Sequence, residues 1–313
     1  MTPVAESGSL ARVQLRDERS ALEATFVPAA GMLCCSLRHR GDELLAQRRG
    51  LAAYAQHGKT MGIPLLYPWA NRLKGFDYTI EGHVVDIPRD QRRVALDDHG
   101  LPIHGLIGGR VQWELDHGAC SAQSLSAQLR CDEDHPELFE LFPFRHNLEY
   151  SASLADGRLE VAIDVHSLGP DAAPLSFGFH PYLCLPGVAR EHWMIELPDM
   201  RRLALDSSQI PIGPGESLTA ERFELGQREF DDAFGEVSRS ARFAAEAMRR
   251  RIEITFLEGY PFAQVFAPRD GEFICFEPMT APANALRSGM GLRLLASGKR
   301  FRARFSVRVR DLD

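Results

Sequence analysis

One glutamate is distinguished by the residues on either side of it. Glu277 follows the apolar run 273–276 and precedes Pro278. A proline has no backbone donor and a fixed φ, so this pattern predicts a strand that ends at Glu277 and places its side chain at the end of the strand. Apolar neighbours should partly desolvate the carboxylate and raise its pKa toward that of a usable proton acceptor. Taken alone, the same pattern also fits an ordinary surface glutamate.

Four further segments place polar side chains among bulky apolar residues, glycine and proline. These side chains are Asn71 and Arg72 at the end of the run 62–73, His104 before Gly105, His180 before Pro181, and the acidic pair 231–232 between phenylalanines. Each has an ordinary alternative. A single arginine commonly snorkels at the surface, a single histidine is commonly a satisfied core or turn residue, and an aspartate is commonly a turn acid.

As a set, these residue types favour one kind of ligand. One carboxylate, two imidazoles, one guanidinium and a further acid can hydrogen-bond to hydroxyl groups, and the charged members do so strongly. Neighbouring aromatic rings can cover apolar C–H faces. A glutamate with a histidine also provides a proton acceptor and a proton donor of different pKa. The set therefore predicts a site for a neutral, polyhydroxylated small molecule.

Composition argues against several other partners. The chain of 313 residues has a formal net charge of −7, whereas a nucleic acid or an anionic membrane would require a basic face. No signal peptide is visible, and no apolar stretch is long enough to span a membrane. The six cysteines form no CxxC pair, which indicates free thiols in a reducing compartment. We expect a soluble, cytoplasmic protein.

Metal and cofactor sites are not indicated. The acids at 97–98 could join His99 and His104 as ligands, but Gly100 and Pro102 break any helical face between them. No Walker loop, dinucleotide fingerprint or GxSxG elbow occurs. We expect neither a metal nor a cofactor.

The elements that must position these side chains are strands. Apolar and polar residues alternate with a period of two over 301–310, 159–166, 251–256 and 78–87, and turn pairs separate the runs. The segment 240–250 has a helical composition that is ambiguous with a strand. No long amphipathic helices alternate with strands, and no linker marks a boundary. We expect an all-β protein, one large antiparallel β-sandwich formed by a single domain over residues 1–313.

Six segments, in consistent order, resemble the aldose 1-epimerase (galactose mutarotase) family. The resemblance spans roughly residues 60–313, and its motifs are Gly-Ile-Pro-Leu-Leu-Tyr-Pro at 62–68 with Asn71 and Arg72, His104 with Gly105, Phe-Pro-Phe at 142–144, Gly-Phe-His-Pro-Tyr at 178–182, Phe230 with Asp231, and Glu277 with Pro278 and Thr-Ala-Pro at 280–282. The implied fold is the family's supersandwich, which agrees with the alternation.

The resemblance implies a cofactor-independent reaction that interconverts the α and β anomers of a free aldose. Glu277 corresponds to the catalytic base, which removes the proton of the anomeric hydroxyl, and His180 to the acid, which protonates the ring oxygen. The ring opens, C1 rotates, and the ring closes with the roles exchanged. His180 is expected near its reference pKa of about 6.5. The two side chains should face each other across a gap as wide as a pyranose.

The same resemblance implies which residues hold the substrate. Arg72, His104 and Asp231 correspond to substrate-binding residues, and Asn71 is a weaker candidate beside the arginine. The sequence does not decide whether Asp231 or Asp232 faces the pocket, and we choose Asp231 by its position after a phenylalanine.

Two alternatives remain open. A hexose-6-phosphate 1-epimerase on the same fold would need a basic cluster for the phosphate, for which Arg72, Arg110 and Arg287 are the candidates. A carbohydrate-binding protein without catalysis would use the same groups only to hold a sugar. In each case the partner is a monosaccharide. The preferred aldose, and the choice between a monomer and a homodimer, stay open.

Overall fold

The computed structural model describes residues 10–89, 94–131 and 133–312, and β-strands dominate it. In chain order the strands are β1 Val13–Asp17, β2 Leu22–Val27, β3 Leu33–His39, β4 Asp42–Glu43, β5 Leu65–Leu66, β6 Asp77–Ile80, β7 His83–Asp86, β8 Ala95–Leu96, β9 Pro102–Ile103, β10 Glu114–Leu115, β11 Ser124–Arg130, β12 His146–Ala155, β13 Arg158–Ser167, β14 Ala173–Leu175, β15 Gly178–Phe179, β16 Tyr182–Leu183, β17 Met194–Leu197, β18 Met200–Leu205, β19 Pro211–Leu218, β20 Glu221–Glu224, β21 Phe230–Gly235, β22 Ala241–Ala247, β23 Arg250–Glu258, β24 Phe262–Ala267, β25 Ile274–Met279, β26 Arg293–Leu295 and β27 Arg300–Asp311.

The strands pair antiparallel in two large sheets and several small ones. The nine-stranded sheet has the order β10-β11-β12-β13-β27-β23-β22-β17-β20. The eight-stranded sheet has the order β19-β18-β21-β24-β25-β15-β5, and its remaining strand, β16, also pairs with β25. A four-stranded sheet contains β1 to β4, and the pairs β6–β7, β8–β9 and β14–β26 complete the set among the described residues.

The alternating runs form the strands for the predicted reason. In β27, Phe305 and Val307 are fully buried while Arg308 on the same strand is exposed. The hairpin from β12 to β13 turns at Asp156 and Gly157, whose φ angles of 52° and 70° are the positive pair that a tight type I′ turn requires. Strand and turn chemistry therefore agree along this part of the chain.

The core lies between the two large sheets. The ring of Phe179 in β15 is 4.9 Å, centroid to centroid, from Phe305 in β27. The ring of Phe276 in β25 is 5.4 Å from Phe243 in β22. One face of the eight-stranded sheet is thereby buried against the nine-stranded sheet, as in other aligned sandwiches. The predicted all-β antiparallel sandwich is confirmed.

Helices are few and short in the described residues. They are α1 Gly50–His57, α2 Pro136–Phe139 and α3 Ala285–Ser288, with 3₁₀ turns at Pro28–Ala30 and Arg190–His192. The sequence pattern did not predict α1, in which Tyr54 is the buried residue. The helix is capped at its C-terminus by Gly58, a left-handed residue with φ of 65°. The ambiguous segment 240–250 forms β22 and enters β23, because pairing with β17 and β23 overrides its alanine-rich composition. Within the described ranges, no helix is long and apolar enough to cross a membrane.

Candidate active site

Glu277 lies inside β25, at the centre of the eight-stranded sheet. The sequence predicted that the strand would end at this residue, but Pro278 and Met279 continue it. The neighbouring strand explains why the proline is tolerated. On that side, the β15 and β16 ladders pair with β25 only at Met279 and at residues 274–275, which leaves positions 276–278 without a strand partner there. Glu277 is buried, with 1% of its surface exposed.

His180 lies in the interruption between β15 and β16, directly beside Glu277. Its Nε2 is 3.2 Å from Glu277 Oε1, although the two residues are nearly a hundred positions apart. The predicted gap as wide as a pyranose is therefore wrong, since the two groups are in contact. Both side chains are buried, so the contact is enclosed by the protein.

Strand register places two more polar groups on the face that carries Glu277. Gln264 in β24 is directly opposite Glu277, and Asp231 in β21 is opposite Phe266. Because directly paired residues share a face and alternate residues do too, Asp231 and Gln264 point to the same side of the sheet. Gln264 Nε2 donates a hydrogen bond of 2.7 Å to Asp231 Oδ1, which holds the aspartate in place.

The same register sends Asp232 to the opposite face. Asp232 is paired with Val265, whose side chain is fully buried in the core. The carboxylate of Asp232 instead lies 3.6 Å from Arg202. The structure thus places Asp231, and not its neighbour, on the side of Glu277.

Arg72 joins this group through three contacts. Its Nε donates to Asp97 Oδ2 at 2.7 Å, its Nη1 donates to Asn71 Oδ1 at 3.1 Å, and its Nη2 lies 3.5 Å from Asp231 Oδ2. The side chain is only 13% exposed, so it is not a snorkelling surface arginine. Two carboxylates and an amide fix the guanidinium plane, which is the geometry that arginine uses for directed hydrogen bonds.

His104 is held by the strand-like pairing of its segment with the segment of Arg72. Its backbone N–H donates to Asn71 O at 2.9 Å, and both residues are left-handed, with φ of 65° and 56°. Histidine and asparagine adopt this conformation more readily than most residues. At Gly105 a Cβ would lie 2.2 Å from Tyr67 O, so glycine is required there. The imidazole of His104 meets that of His180 edge-to-face, 5.4 Å between centroids.

The structure therefore brings together all six residues that the sequence singled out. They are Glu277, His180, His104, Arg72, Asn71 and Asp231. The carboxylate of Asp97, which the sequence offered as a possible metal ligand, instead accepts hydrogen bonds from Arg72 and from the backbone N–H groups of residues 99 and 101. Among the described residues no group of three or more His, Cys, Asp or Glu is arranged to hold a metal ion.

The sequence did not predict a further set of contacts around His180. The ring of Tyr182 stacks on the imidazole at 4.2 Å with an interplanar angle of 8°, and its hydroxyl lies 3.2 Å from His180 Nε2. That hydroxyl also accepts a 3.0 Å hydrogen bond from Arg48 Nη1 and lies 2.6 Å from Thr60 Oγ1. Tyr182 belongs to a motif that the sequence offered. Arg48 and Thr60 carry no such signal, because a single polar residue in a loop is not distinctive.

Comparison with known proteins agrees with this geometry. The sequence matches the family model described as Aldose 1-epimerase over residues 18–308. The chain belongs to the aldose 1-epimerase family. A curated relative in Escherichia coli strain K12, the uncharacterized protein YihR, is 24% identical over 254 residues, covering 78% of this chain and 77% of YihR.

Two solved structures have folds similar to that of this member of the aldose 1-epimerase family. The Slr1438 protein of Synechocystis sp. PCC 6803 superposes with a TM-score of 0.77 at 23% identity, covering 99% of each chain. A galactose mutarotase-like protein from Clostridium acetobutylicum gives a TM-score of 0.78 at 16% identity, covering 97% of this chain and 99% of its own. At these identities the likeness establishes the fold, and the predicted galactose mutarotase-like supersandwich is confirmed.

Burial and charge displace the pKa values at the centre of this family member. Burial raises the pKa of Glu277 well above its ordinary value; the negative charge of Asp231 adds to the rise, and Arg72 opposes it. Burial lowers the pKa of His180 well below 6.5, and the nearby His104 and Arg48 lower it further. The expectation of an unshifted His180 is wrong, because sequence did not reveal how completely the imidazole is enclosed. Burial, with the charge of Arg72, also lowers the pKa of His104 to about 3.

Proposed function

We propose that this protein is an aldose 1-epimerase that interconverts the α and β anomers of a free aldose, with Glu277 as general base and His180 as general acid. The observation that carries the proposal is the 3.2 Å contact between a buried carboxyl and a buried imidazole. One can accept a proton while the other donates one, which is what cofactor-independent ring opening requires. The reaction is an isomerisation that needs no redox or metal chemistry.

Side-by-side placement of the acid and the base suits this reaction. The anomeric hydroxyl and the ring oxygen are bonded to the same carbon, so the two groups acting on them must converge on one small region. In the proposed cycle the sugar replaces the contact between His180 and Glu277. Glu277 takes the hydroxyl proton, His180 protonates the ring oxygen, and the C1–O5 bond breaks to give the aldehyde. Rotation about C1–C2 and closure with the roles reversed give the other anomer.

The remaining polar groups would hold the sugar in position. Arg72 and Asn71 are prearranged to donate hydrogen bonds to hydroxyl groups, and Asp231 is prearranged to accept them. His104, packed against His180, would contact hydroxyls close to the anomeric carbon. We add Gln264 to the sugar-binding residues, because it is paired with Glu277 on the neighbouring strand and donates a hydrogen bond to Asp231. Fixing the sugar relative to the acid and base contributes to rate through orientation.

The protonation state of the pair follows from its pKa shifts. Burial raises the pKa of Glu277 and lowers the pKa of His180, and both shifts favour a neutral carboxyl beside a neutral imidazole, a pair that carries one dissociable proton. Transfer of that proton to His180 gives the carboxylate–imidazolium form that the mechanism uses. Loss of this proton limits activity at high pH, and gain of a second proton limits it at low pH. The pH–rate profile is therefore a bell set by the pair as a unit.

Replacing Asp231 tests the charge that raises the pKa of Glu277. In Asp231→Asn a negative charge is removed, so the pKa of Glu277 falls, and the high-pH limb of kcat/KM should move to lower pH. Measurement of kcat/KM against pH by polarimetry checks this. The matched control is Asp232→Asn on the opposite face, which should leave the limb where it is. A limb that moves upward in Asp231→Asn contradicts the assignment.

Replacing Arg48 tests the other titration. Its positive charge lowers the pKa of His180, so Arg48→Met should raise that pKa and move the low-pH limb of kcat/KM to higher pH. The same substitution removes the donor to Tyr182. Arg49→Met, at the neighbouring exposed position, serves as the control. An unmoved limb would mean that Arg48 does not act on His180.

The three arginines nominated for a phosphorylated sugar have other partners. Arg72 binds Asp97, Arg110 donates to the backbone oxygen of Gln56, and Arg287 makes two 3.1 Å contacts with Asp77. A phosphate would have to displace these contacts, which favours the free aldose as substrate. A purely sugar-holding protein would not require a buried acid–base pair.

The deciding experiment is an anomerisation assay of the purified protein. Freshly dissolved α-D-glucose, galactose, arabinose, xylose and glucose 6-phosphate are followed by polarimetry. We expect acceleration over the spontaneous rate with at least one free aldose, and less with glucose 6-phosphate. Preference for glucose 6-phosphate would favour the phosphorylated substrate, and calorimetric sugar binding without acceleration would favour a binding protein.

The remaining properties belong to the same proposal. One hydrophobic cluster contains residues of both large sheets, which supports a single working domain. Within the described residues, Cys34, Cys35, Cys120, Cys184 and Cys275 form no disulfide, which supports a cytoplasmic location. Every group that we assign to the site lies in one chain, so a monomer would suffice and a homodimer would not alter the site.

A further inference from the structure

A second cavity lies outside the acid–base site. Its volume is about 490 Å³, within the range typical of small-molecule sites. Its walls come from β23 and β27 of the nine-stranded sheet, from β14 and β26, and from residues after β25. Neither Glu277 nor His180 lines it. The cavity and the acid–base site can therefore be altered independently.

The charge of this cavity is opposite to that of the protein. Four arginines line it, at 239, 293, 300 and 302, against one acid, Glu258. The whole chain, in contrast, has 43 acidic and 36 basic residues excluding histidine. Arg302 is paired with Asp164 at 2.7 Å, but the guanidinium groups at 239, 293 and 300 form no ion pair with a described residue. Like charges that converge in a concavity concentrate a positive potential there.

The accessible aromatic surface of the cavity wall is the ring of Phe301. Arg293 lies over this ring at 5.2 Å, whereas the lining residues Phe256 and Tyr260 are only 1% and 4% exposed. At Gly259 a Cβ would lie 2.8 Å from Ala303 Cα, so this turn packs closely against β27. Such a wall suits the carbon skeleton or ring of a small molecule.

We propose that this cavity binds a small phosphorylated metabolite, with its phosphate on the arginines and its carbon portion on the aromatic wall. Guanidinium groups match phosphate oxygens in planar, paired hydrogen bonds, and a neutral sugar would not need several of them. The overall negative charge of the chain and the concave shape favour a small molecule over a nucleic acid. The site is separate from the mutarotase proposal, which does not depend on it.

Calorimetric titration with glucose 6-phosphate, inorganic phosphate and glucose tests the proposal. Wild-type protein should bind the two phosphate compounds at low salt and bind them less tightly as salt screens the arginines. Arg300→Glu should weaken glucose 6-phosphate binding by about tenfold or more, and Arg293→Gln should weaken it in the same direction. Thermal unfolding checks that both variants fold.

Two controls locate the binding. Arg310→Glu, at an exposed position farther along β27, should bind glucose 6-phosphate like wild type. His180→Asn should also keep this binding, because His180 does not line the cavity. Loss of binding in His180→Asn with retention in Arg300→Glu would assign the phosphate to the acid–base site. That result, or no binding of either phosphate compound, overturns the proposal without affecting the test for mutarotation.

Discussion

Glu277→Gln should lower kcat for anomer interconversion by about 10²–10⁴-fold, the usual contribution of a positioned acid or base. The amide keeps the size and most of the hydrogen-bonding capacity of the carboxyl but cannot accept the hydroxyl proton. Sugar contacts to Arg72 and Asp231 remain, so affinity should change little. Polarimetry of freshly dissolved α-D-glucose or galactose measures the rate, and calorimetry measures the binding.

An exposed glutamate provides the comparison for this loss. Glu216→Gln on β19 removes the same charge far from His180 and should leave the rate unchanged. If Glu277→Gln retains a rate near that of wild type, Glu277 is not the base, and another group must accept the proton.

The same variant should differ from wild type in stability in a pH-dependent way. An unfolded chain ionises Glu277 near its ordinary value of 4.5, whereas burial raises the pKa in the folded protein. The folded state therefore keeps the proton to higher pH, and stability present below the unfolded value is lost as pH rises. Since glutamine does not ionise, Tm of Glu277→Gln relative to wild type should increase as the pH rises above the ordinary glutamate value of 4.5. A difference that is constant with pH contradicts a buried, raised Glu277.

His180→Asn should also lower kcat by about 10²–10⁴-fold, because protonation of the ring oxygen then lacks a positioned donor. Asparagine is neutral and cannot take up a second proton, so the low-pH limb of the kcat/KM profile should disappear. The variant retains the short polar side chain beside Glu277, which limits the damage to packing. Stopped polarimetric assays across pH measure both effects.

The control for this experiment replaces an exposed histidine. His192→Asn, where the exposed imidazole lies 3.5 Å from Glu191 and 3.3 Å from Glu224, should leave rate and pH profile unchanged. Retention of the low-pH limb in His180→Asn would show that another group sets it. His104→Asn would then be the next variant to examine.

Much of the scaffold could be predicted from local pattern. The alternation over 301–310 and 159–166 became β27 and β13, because a period of two allows only one face of a strand to be buried. Local pattern failed where tertiary pairing competed with it. The alanine-rich segment 240–250 became a strand between two others, and β25 ran past Pro278 because its neighbour is interrupted there.

The candidate site, like the scaffold, could be predicted only in part from local sequence. Residue types in glycine- and proline-rich apolar segments were enough to nominate Glu277, His180, His104 and Arg72, since polar groups in such settings need a partner or a use. Arg48 could not be found in this way, because its neighbours in the chain say nothing about Tyr182, which is 134 positions away.

The sequence by itself determined the strand-rich class, the family resemblance and the chemical kinds of group available for catalysis. Only the tertiary structure decided how these groups meet. The register of β21 on β24 selected Asp231 over Asp232, since a shift of one residue reverses the face. Contact and enclosure set the pairing of His180 with Glu277 and the opposite displacements of their pKa values. Spatial proximity and burial arise from long-range packing, which no local stretch of sequence encodes.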